Sequence, residues 1–125
     1  MKIYYREKSG GIEILRCFGI EGRVEIPGMI DGRLVISAAP YAFSSHMDEK
    51  EELKNASLWE VSEGLGFGRE EHVLAGNDVE EIVFPYTLKE IGRYIFYGCG
   101  NLKKLEFSDS LMQIGCGAFT GCHAL

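Results

Sequence analysis

Residues 79–101 read VEEIVFPYTLKEIGRYIFYGCGN, and residues 102–124 read LKKLEFSDSLMQIGCGAFTGCHA. The second copy begins 23 residues after the first, and the two align without a gap. The matching positions are Ile82 and Leu105, Phe84 and Phe107, Leu88 and Leu111, Ile91 and Ile114, Gly92 and Gly115, Phe96 and Phe119, and Cys99 and Cys122. A fixed period of this length predicts a repeat solenoid, in which each unit buries its apolar face against the next unit.

Each unit contains the residue types that such a turn of chain requires. Ile82 and Phe84 flank one residue and so share a face, which predicts a short strand with one side in the core. A glycine then follows a second apolar step, where the backbone must turn sharply or pass close to its neighbour. Phe96 and Phe119 are expected to point inward as large core residues, stacked from one unit to the next.

The order of these residues resembles the BspA-type leucine-rich repeat, also called the Treponema pallidum type. The departures are Ser108, where the first copy has Pro85, and Ile95, where the pattern has alanine. The resemblance implies a leucine-rich-repeat right-handed superhelix, built mainly from short parallel β-strands with turns and short helical segments. It also implies a non-enzymatic protein-interaction role, with surface attachment or host contact in the bacteria that carry such repeats.

The composition limits the functions that fit this chain. A length of 125 residues suits a single domain, and a net charge of -6 without a basic cluster argues against nucleic acid as a partner. No apolar run reaches the roughly 20 residues needed to cross a membrane, so membrane insertion is not expected. The first residues lack the apolar segment of a signal peptide. This predicts a cytoplasmic protein if Met1 is the native start, and leaves a cell-surface or secreted location open if the sequence is a trimmed piece.

The N-terminal part divides into a cap and a longer first repeat. Residues 1–19 contain two strand-forming stretches, 2–7 and 12–18, separated by Lys8-Ser9-Gly10-Gly11, which predicts a β-hairpin that caps the stack. Residues 20–48 fit an extended first repeat, in which Val24 to Pro27 correspond to Ile82 to Pro85. Its second apolar step is assigned to residues 34–36, and Tyr41-Ala42-Phe43 to the corner before the phenylalanine. Five extra residues fall near Ile30-Asp31-Gly32, a predicted surface turn.

Residues 49–78 interrupt the pattern. The stretch 48–54 is charged, with acids leading, and predicts a short exposed helix. Residues 58–62 then fit the strand of a decayed repeat, with Phe67-Gly68 and Val73 at its later positions. The alternative is an insertion that packs beside the repeats. The domain is therefore divided into residues 1–19, 20–48, 49–78, 79–101 and 102–124.

Nothing in the sequence assembles a catalytic, cofactor or metal site. The glycines at 64–68 lack the spacing of a nucleotide-binding loop, and the acids at Glu70 and Glu71 would repel a phosphate. The three histidines have no neighbouring cysteines or acids at zinc-ligand spacing. Cys99 and Cys122 occupy one repeat position, so free thiols that serve as small core residues are expected, although a bridge between them is within reach if oxidised. A thiol-dependent enzyme using Cys116 or Cys122 is the least favoured function.

The remaining candidate is an exposed surface. The predicted protein-contact residues are Glu80, Glu81, Val83, Tyr86, Lys103, Lys104, Glu106 and Trp59. The alternative is a structural spacer that forms the N-terminal end of a longer repeat array. Because the last unit would have no following unit to cover it, we expect a homodimer through the open C-terminal end, or fraying there.

Overall fold

The computed structural model describes residues 1–61 and 70–125, and these residues fold mainly into short strands with little helix. The strands are β1 (Lys2–Lys8), β2 (Gly11–Gly19), β3 (Arg23–Glu25), β4 (Met29–Ile30), β5 (Arg33–Ala38), β6 (Ser57–Glu60), β7 (His72–Val73), β8 (Glu81–Val83), β9 (Glu90–Ile91), β10 (Lys104–Glu106) and β11 (Gln113–Ile114). One α-helix, α1 (Glu49–Glu52), and a 3-10 turn at Gly76–Asp78 complete the described elements.

Two rows of parallel strands hold the repeats together. In the first row, β3, β8 and β10 lie side by side, with Val24 opposite Ile82 and Ile82 opposite Leu105. In the second row, β5, β9 and β11 are neighbours, and Ile91 lies opposite Ile114. The 23-residue alignment is therefore the register in which the last two units pair, which confirms a repeat fold.

The extra residues of the first unit form a small antiparallel loop. Strands β4 and β5 pair around Asp31 and Gly32, whose φ angles of 50° and 78° suit a tight turn. This loop corrects one sequence assignment, because Ala38 lies opposite Ile91 and residues 34–36 are not the second apolar step. The physical reason is that the start of β5 pairs back with β4, so the parallel row is reached only at its end.

The predicted N-terminal hairpin is present. Strands β1 and β2 pair antiparallel with Lys8 opposite Gly11, and the two turn residues, Ser9 and Gly10, have φ angles of 51° and 82°. Positive φ at both positions matches the right-handed twist of the strands, which favours glycine in the turn. Strand β2 then pairs parallel with β5, so the hairpin lies directly against the first unit.

The interrupting segment adds to the hairpin. Strand β6 pairs antiparallel with β1, and β7 pairs antiparallel with β2. Leu58 and Val73 therefore pair with the hairpin strands, whereas the decayed-repeat interpretation assigned residues 58–62 to a repeat strand and Val73 to the position of the corner phenylalanine. Phe67 and Gly68 fall outside the described residues, so the division of residues 49–78 remains a prediction. The predicted helix is present as α1, with the Asp48 side chain accepting a hydrogen bond from the Glu51 amide.

A column of phenylalanines runs through the core at the same position of each unit. The ring of Phe96 stacks on Phe43 at 6.0 Å and on Phe119 at 5.7 Å between centroids. Phe43 and Phe96 are fully buried, whereas Phe119 in the last unit is 39% exposed. Cys99 is also buried, and its Sγ donates to the Phe43 carbonyl at 3.1 Å. All four cysteines are free thiols.

Candidate protein-contact surface

Most of the candidate contact residues lie on the exposed side of the first parallel row, which we call the outer strip. It consists of Glu80, Glu81, Val83, Lys103, Lys104 and Glu106, with Arg23 and Glu25 of the first unit beside them. The parallel register places Arg23, Glu81 and Lys104 in one line across the three strands. Alternate residues face outward because side chains of a strand point to opposite sides, so Ile82 between them is buried.

The charges of the outer strip alternate and partly neutralise each other. Arg23 Nε lies 3.1 Å from Glu81 Oε2, and Lys104 Nζ lies 3.9 Å from Glu106 Oε1. These side chains are largely exposed, and each such ion pair contributes at most about 1 kcal/mol to stability. The strip therefore offers alternating charge to a partner rather than a field of one sign.

Tyr86 is an exposed aromatic residue that lies three residues after Val83, the last residue of β8. Its side chain is 75% exposed, while the Ser108 hydroxyl donates to its backbone carbonyl at 3.0 Å. The backbone is thus tied to the next unit while the ring remains available. Exposed tyrosines of this kind are common anchors in protein interfaces because they bury a large area at small entropic cost.

The structure places Trp59 apart from the other candidates. It belongs to β6, opposite Ile3 of β1, and its half-buried ring packs against the core. Since β6 belongs to the sheet that contains the hairpin and β8 and β10 belong to the other sheet, Trp59 is not part of the outer strip.

The units are also joined at their corners, the turns that precede and include the core phenylalanine. The amides of Tyr41 and Phe43 donate to the carbonyls of Arg93 and Ile95 at 3.2 and 3.0 Å. The second unit repeats this toward the third, in bonds of 3.0 to 3.1 Å from Tyr94 to Cys116, from Phe96 to Ala118 and from Gly98 to Thr120. The first and second corners therefore donate to the unit that follows, and the second and third corners accept from the unit that precedes.

Arg16 donates hydrogen bonds from the hairpin to the carbonyls of the first corner. This β2 residue is 2% exposed, and its Nη1 lies 3.2, 3.1 and 2.6 Å from the carbonyl oxygens of Tyr41, Ala42 and Ser44. Its Nε donates to Glu49 of α1 at 3.0 Å. Burial lowers the pKa of Arg16, and the ion pair with Glu49 acts in the opposite direction.

Sequence reasoning missed Arg16, although a signal exists. Arg16 is the only cation of strand β2, and its neighbours Ile14, Leu15 and Cys17 are apolar, which indicates a buried strand. Buried cations need acceptors, so a partner set was foreseeable in kind. Which carbonyls accept could not be read from the sequence, because the first corner lies some 25 residues away in the chain.

A second buried charge connects the hairpin to the repeats. Glu13 of β2 is 2% exposed and accepts from Arg6, from Lys8 and from the Ser37 hydroxyl. Burial raises the pKa of Glu13, but the hydrogen bonds from Lys8, Ser37 and Arg6 outweigh burial and leave the pKa lowered. Lys8 also donates to Glu90 of the second unit, and this bond raises the pKa of Lys8.

The chemistry available to the thiols is limited. Burial raises the pKa of Cys17 and of Cys99 to about 12, and burial also raises the pKa of Cys122. A thiol with such a pKa is a poor nucleophile near neutral pH. Cys116 is exposed. Within residues 1–61 and 70–125, no group of three or more histidine, cysteine or acidic side chains is arranged to hold a metal ion, and no helix is long and apolar enough to cross a membrane.

A comparison with known protein families finds a match to the C-terminal repeats. The family model described as "BspA type Leucine rich repeat region (6 copies)" matches residues 70–125, which include β8 to β11. Residues 70–125 are a BspA-type leucine-rich repeat region. The BspA-type resemblance of the sequence is thereby confirmed for this part of the chain. No curated protein matches the chain in sequence.

Two solved structures share the fold of nearly the whole chain. A leucine-rich repeat protein of T. pallidum superposes with a TM-score of 0.69 at 24% identity, covering 97% of this chain and 44% of that one. A leucine-rich cell surface protein of Faecalibacterium prausnitzii gives a TM-score of 0.65 at 20% identity, covering 98% of this chain and 27% of that one. The chain thus spans less than half of either protein, and at these identities the likeness concerns the fold alone.

Proposed function

We propose that this BspA-type chain is a non-enzymatic protein-interaction module that binds its partner through the outer strip and Tyr86. The observation that carries the proposal is the exposed Tyr86 ring, attached to a fixed backbone near three parallel strands with alternating charges. An aromatic anchor with a charged rim is a common composition for a protein interface.

The bacterial surface is the setting that the comparisons favour. The F. prausnitzii structure is titled a leucine-rich cell surface protein, and it shares the fold of 98% of this chain. We therefore extend the proposal to contact at a bacterial surface, including contact with a host. A protein that occupies only part of the length of its relatives would contribute one section of such a contact surface.

The units are further proposed to wind as a right-handed solenoid. The support is the parallel pairing in both rows, because a chain that returns to a parallel neighbouring strand almost always crosses over in the right-handed sense. Diffraction from crystals of the protein determines the hand, and a left-handed winding would refute this part of the proposal.

A structural spacer is the second candidate, and one observation favours it. Arg23 is already paired with Glu81, and Lys104 with Glu106, so the outer strip satisfies part of its charge without a partner. In that case the chain would act as the rigid N-terminal end of a longer array, and the outer strip would contribute only to solubility.

A quantitative pull-down separates the two candidates. The immobilised protein is compared with Tyr86→Ala and with Lys103→Glu/Lys104→Glu, using surface extracts of the source bacterium and of host cells. The control is Lys54→Glu, a charge change of the same kind at an exposed position beyond α1. A binding module loses the same bound protein in both strip variants and keeps it in the control. Identical recoveries from all four proteins would leave the spacer as the function.

A further inference from the structure

The backbone of the first unit closes across a long excursion of the chain. In the second unit, the amide of Cys99 donates to the carbonyl of Phe96, three residues earlier, at 3.0 Å, and the third unit repeats this bond at 3.1 Å. The equivalent bond of the first unit runs from the amide of Gly76 to the carbonyl of Phe43, 33 residues earlier, at 2.9 Å. Residues 46–75, which we call the excursion, are therefore inserted into the first unit.

The two ends of the excursion lie side by side. Gly76 packs so closely against Ser45 that a side chain at Gly76 would come within 3.3 Å of the Ser45 Cβ. Val79 then takes the repeat position of Leu102, because its amide donates to the carbonyl of Gly76 at 3.4 Å, as the Leu102 amide donates to Cys99 at 3.2 Å. The repeat thus resumes where it stopped, and the excursion adds nothing to the backbone path of the first unit.

The strands of the excursion pair with the N-terminal hairpin. Strand β6 lies antiparallel on β1, and β7 lies antiparallel on β2. The amide of Leu74 also donates to the Cys17 carbonyl of β2 at 2.9 Å, and Glu49 of α1 accepts from Arg16. The excursion therefore extends the sheet of the hairpin, and β6 is the last strand on that side of the sheet.

Strand β6 covers only one half of β1. It pairs with residues 2–5, so among the described residues Arg6-Glu7-Lys8 has no neighbouring strand on that side. The covered half contains Ile3 and Tyr5, whereas the open half consists of three charged residues. Charged residues on an open edge discourage pairing with other chains, and an apolar edge promotes such pairing. Strand β6 thus covers the part of β1 that lacks this protection.

The hydrogen bonds show which backbone groups of β1 depend on this cover. The Val61 amide donates to the Met1 carbonyl at 2.9 Å, and the Met1 ammonium donates to the Val61 carbonyl at 2.7 Å. Because bonded pairs alternate along antiparallel strands, the backbone groups of Ile3 and Tyr5 also face β6. Without β6, these groups would form an open edge beside apolar side chains.

We infer that the excursion is a strap that prevents β1 from pairing with a strand of a second copy of this chain. With the strap in place, the sheet ends in β6, a strand of four residues, and a short edge offers little to an incoming strand. With the strap displaced, the sheet ends in β1, which has seven residues. The inference does not rest on the proposed function, because the outer strip belongs to the other sheet.

The test opens β6 in the full chain with one substitution. Trp59→Pro removes the backbone donor that faces Ile3, whereas Trp59→Ala removes the same side chain and keeps the donor. Leu58→Pro is a second control, since the Leu58 amide points away from β1 and proline is tolerated at such an edge position. In sedimentation at increasing concentration, Trp59→Pro should self-associate at least about tenfold more tightly than the original chain and both controls. Equal association of all four proteins would contradict the strap.

Hydrogen exchange locates the association. In dilute Trp59→Pro, the amides of Ile3 and Tyr5 should exchange fast, and they should become protected as the protein concentration rises. The original chain should show protection at both amides that does not depend on concentration. Association of Trp59→Pro that leaves Ile3 and Tyr5 unprotected would show that another surface is responsible, and would overturn the inference.

A second variant removes the strap entirely. Ser45 is joined directly to Gly76, which restores the spacing between Phe43 and the residue that donates to it. The shortened chain should keep the protection of the Phe96 amide and should associate through Ile3 and Tyr5. Loss of protection at Phe96 would show that the excursion is part of the stack. A folded monomer would show that β1 needs no cover, and either result would overturn the inference even if Trp59→Pro does not fold.

Discussion

Replacing Phe96 by alanine should destabilise the protein far more than the same change at Phe119. Phe96 is fully buried, stacks on Phe43 and Phe119, and contacts the Phe84 ring at 6.2 Å between centroids. Units on both sides hold the surrounding residues in place, so the void cannot close. Removing such a ring costs about 3 to 5 kcal/mol of unfolding free energy.

The cost at Phe119 is smaller for two structural reasons. Phe119 is 39% exposed, so its substitution removes only about three fifths of the burial that a fully buried phenylalanine would lose, and within residues 1–61 and 70–125 its ring stacks only on Phe96. The space left behind opens to solvent and is not a sealed cavity. Scaling the core value by the buried fraction and leaving out the cavity contribution gives about 1 to 2 kcal/mol.

Urea denaturation of both variants, analysed by linear extrapolation, measures the difference. Lys103→Ala is the control, because an exposed side chain should change the unfolding free energy by less than about 0.5 kcal/mol. Equal losses at Phe96 and Phe119, or a loss at Phe96 no larger than the control, would refute the stacked column as the basis of stability.

Three further predictions concern the cap and the thiols. Arg16→Met should lower the unfolding free energy by about 1 to 3 kcal/mol, since it leaves the Ala42 carbonyl without its donor and the Tyr41 and Ser44 carbonyls with only their backbone turn bonds, and an unchanged denaturation midpoint would contradict this role. Because the folded-state pKa of Glu13 is lowered, the contribution of Glu13 to stability is complete above the ordinary pKa of 4.5 and is lost as the pH falls through the lowered pKa. The Glu13→Gln variant should therefore be less stable than the original protein at neutral pH, and its stability should depend less on acid. Parallel profiles of stability against pH for the two proteins would count against the hydrogen-bond network of Glu13. In thiol labelling of the folded protein near neutral pH, Cys116 should react first, while Cys17 and Cys99, with pKa values of about 12, should react only on unfolding; early labelling of Cys99 would show that the core opens.

The repeats could be predicted from the sequence because their period is local and recurs without gaps. The alignment of Ile82 with Leu105 and of Ile91 with Ile114 is the register of the parallel strands. The first unit was predictable in outline. Because its loop at Asp31 pairs the start of β5 with β4, β5 joins the second parallel row only at Ser37 and Ala38, and a sequence pattern with an insertion does not determine at which residue the parallel pairing begins.

The parts that could not be predicted depend on pairing between distant, unrepeated segments. Strand β6 joins β1 more than fifty residues away, and neither segment has a periodic partner that would indicate the match. The same holds for Arg16 and its corner carbonyls. Of the candidate surface, the outer strip follows from strand alternation, whereas the separation of Trp59 from it follows only from the position of β6.

Residue-resolved hydrogen exchange on the dilute protein tests the stacked repeats most directly. The amides of Phe43 and Phe96 occupy equivalent positions and donate to the following unit, and Phe119 is the third member of the series. The account predicts strong protection at Phe43 and Phe96 and fast exchange at Phe119. Fast exchange at Phe96, or protection at Phe119 equal to that at Phe96, would contradict a stack whose units are joined in this register.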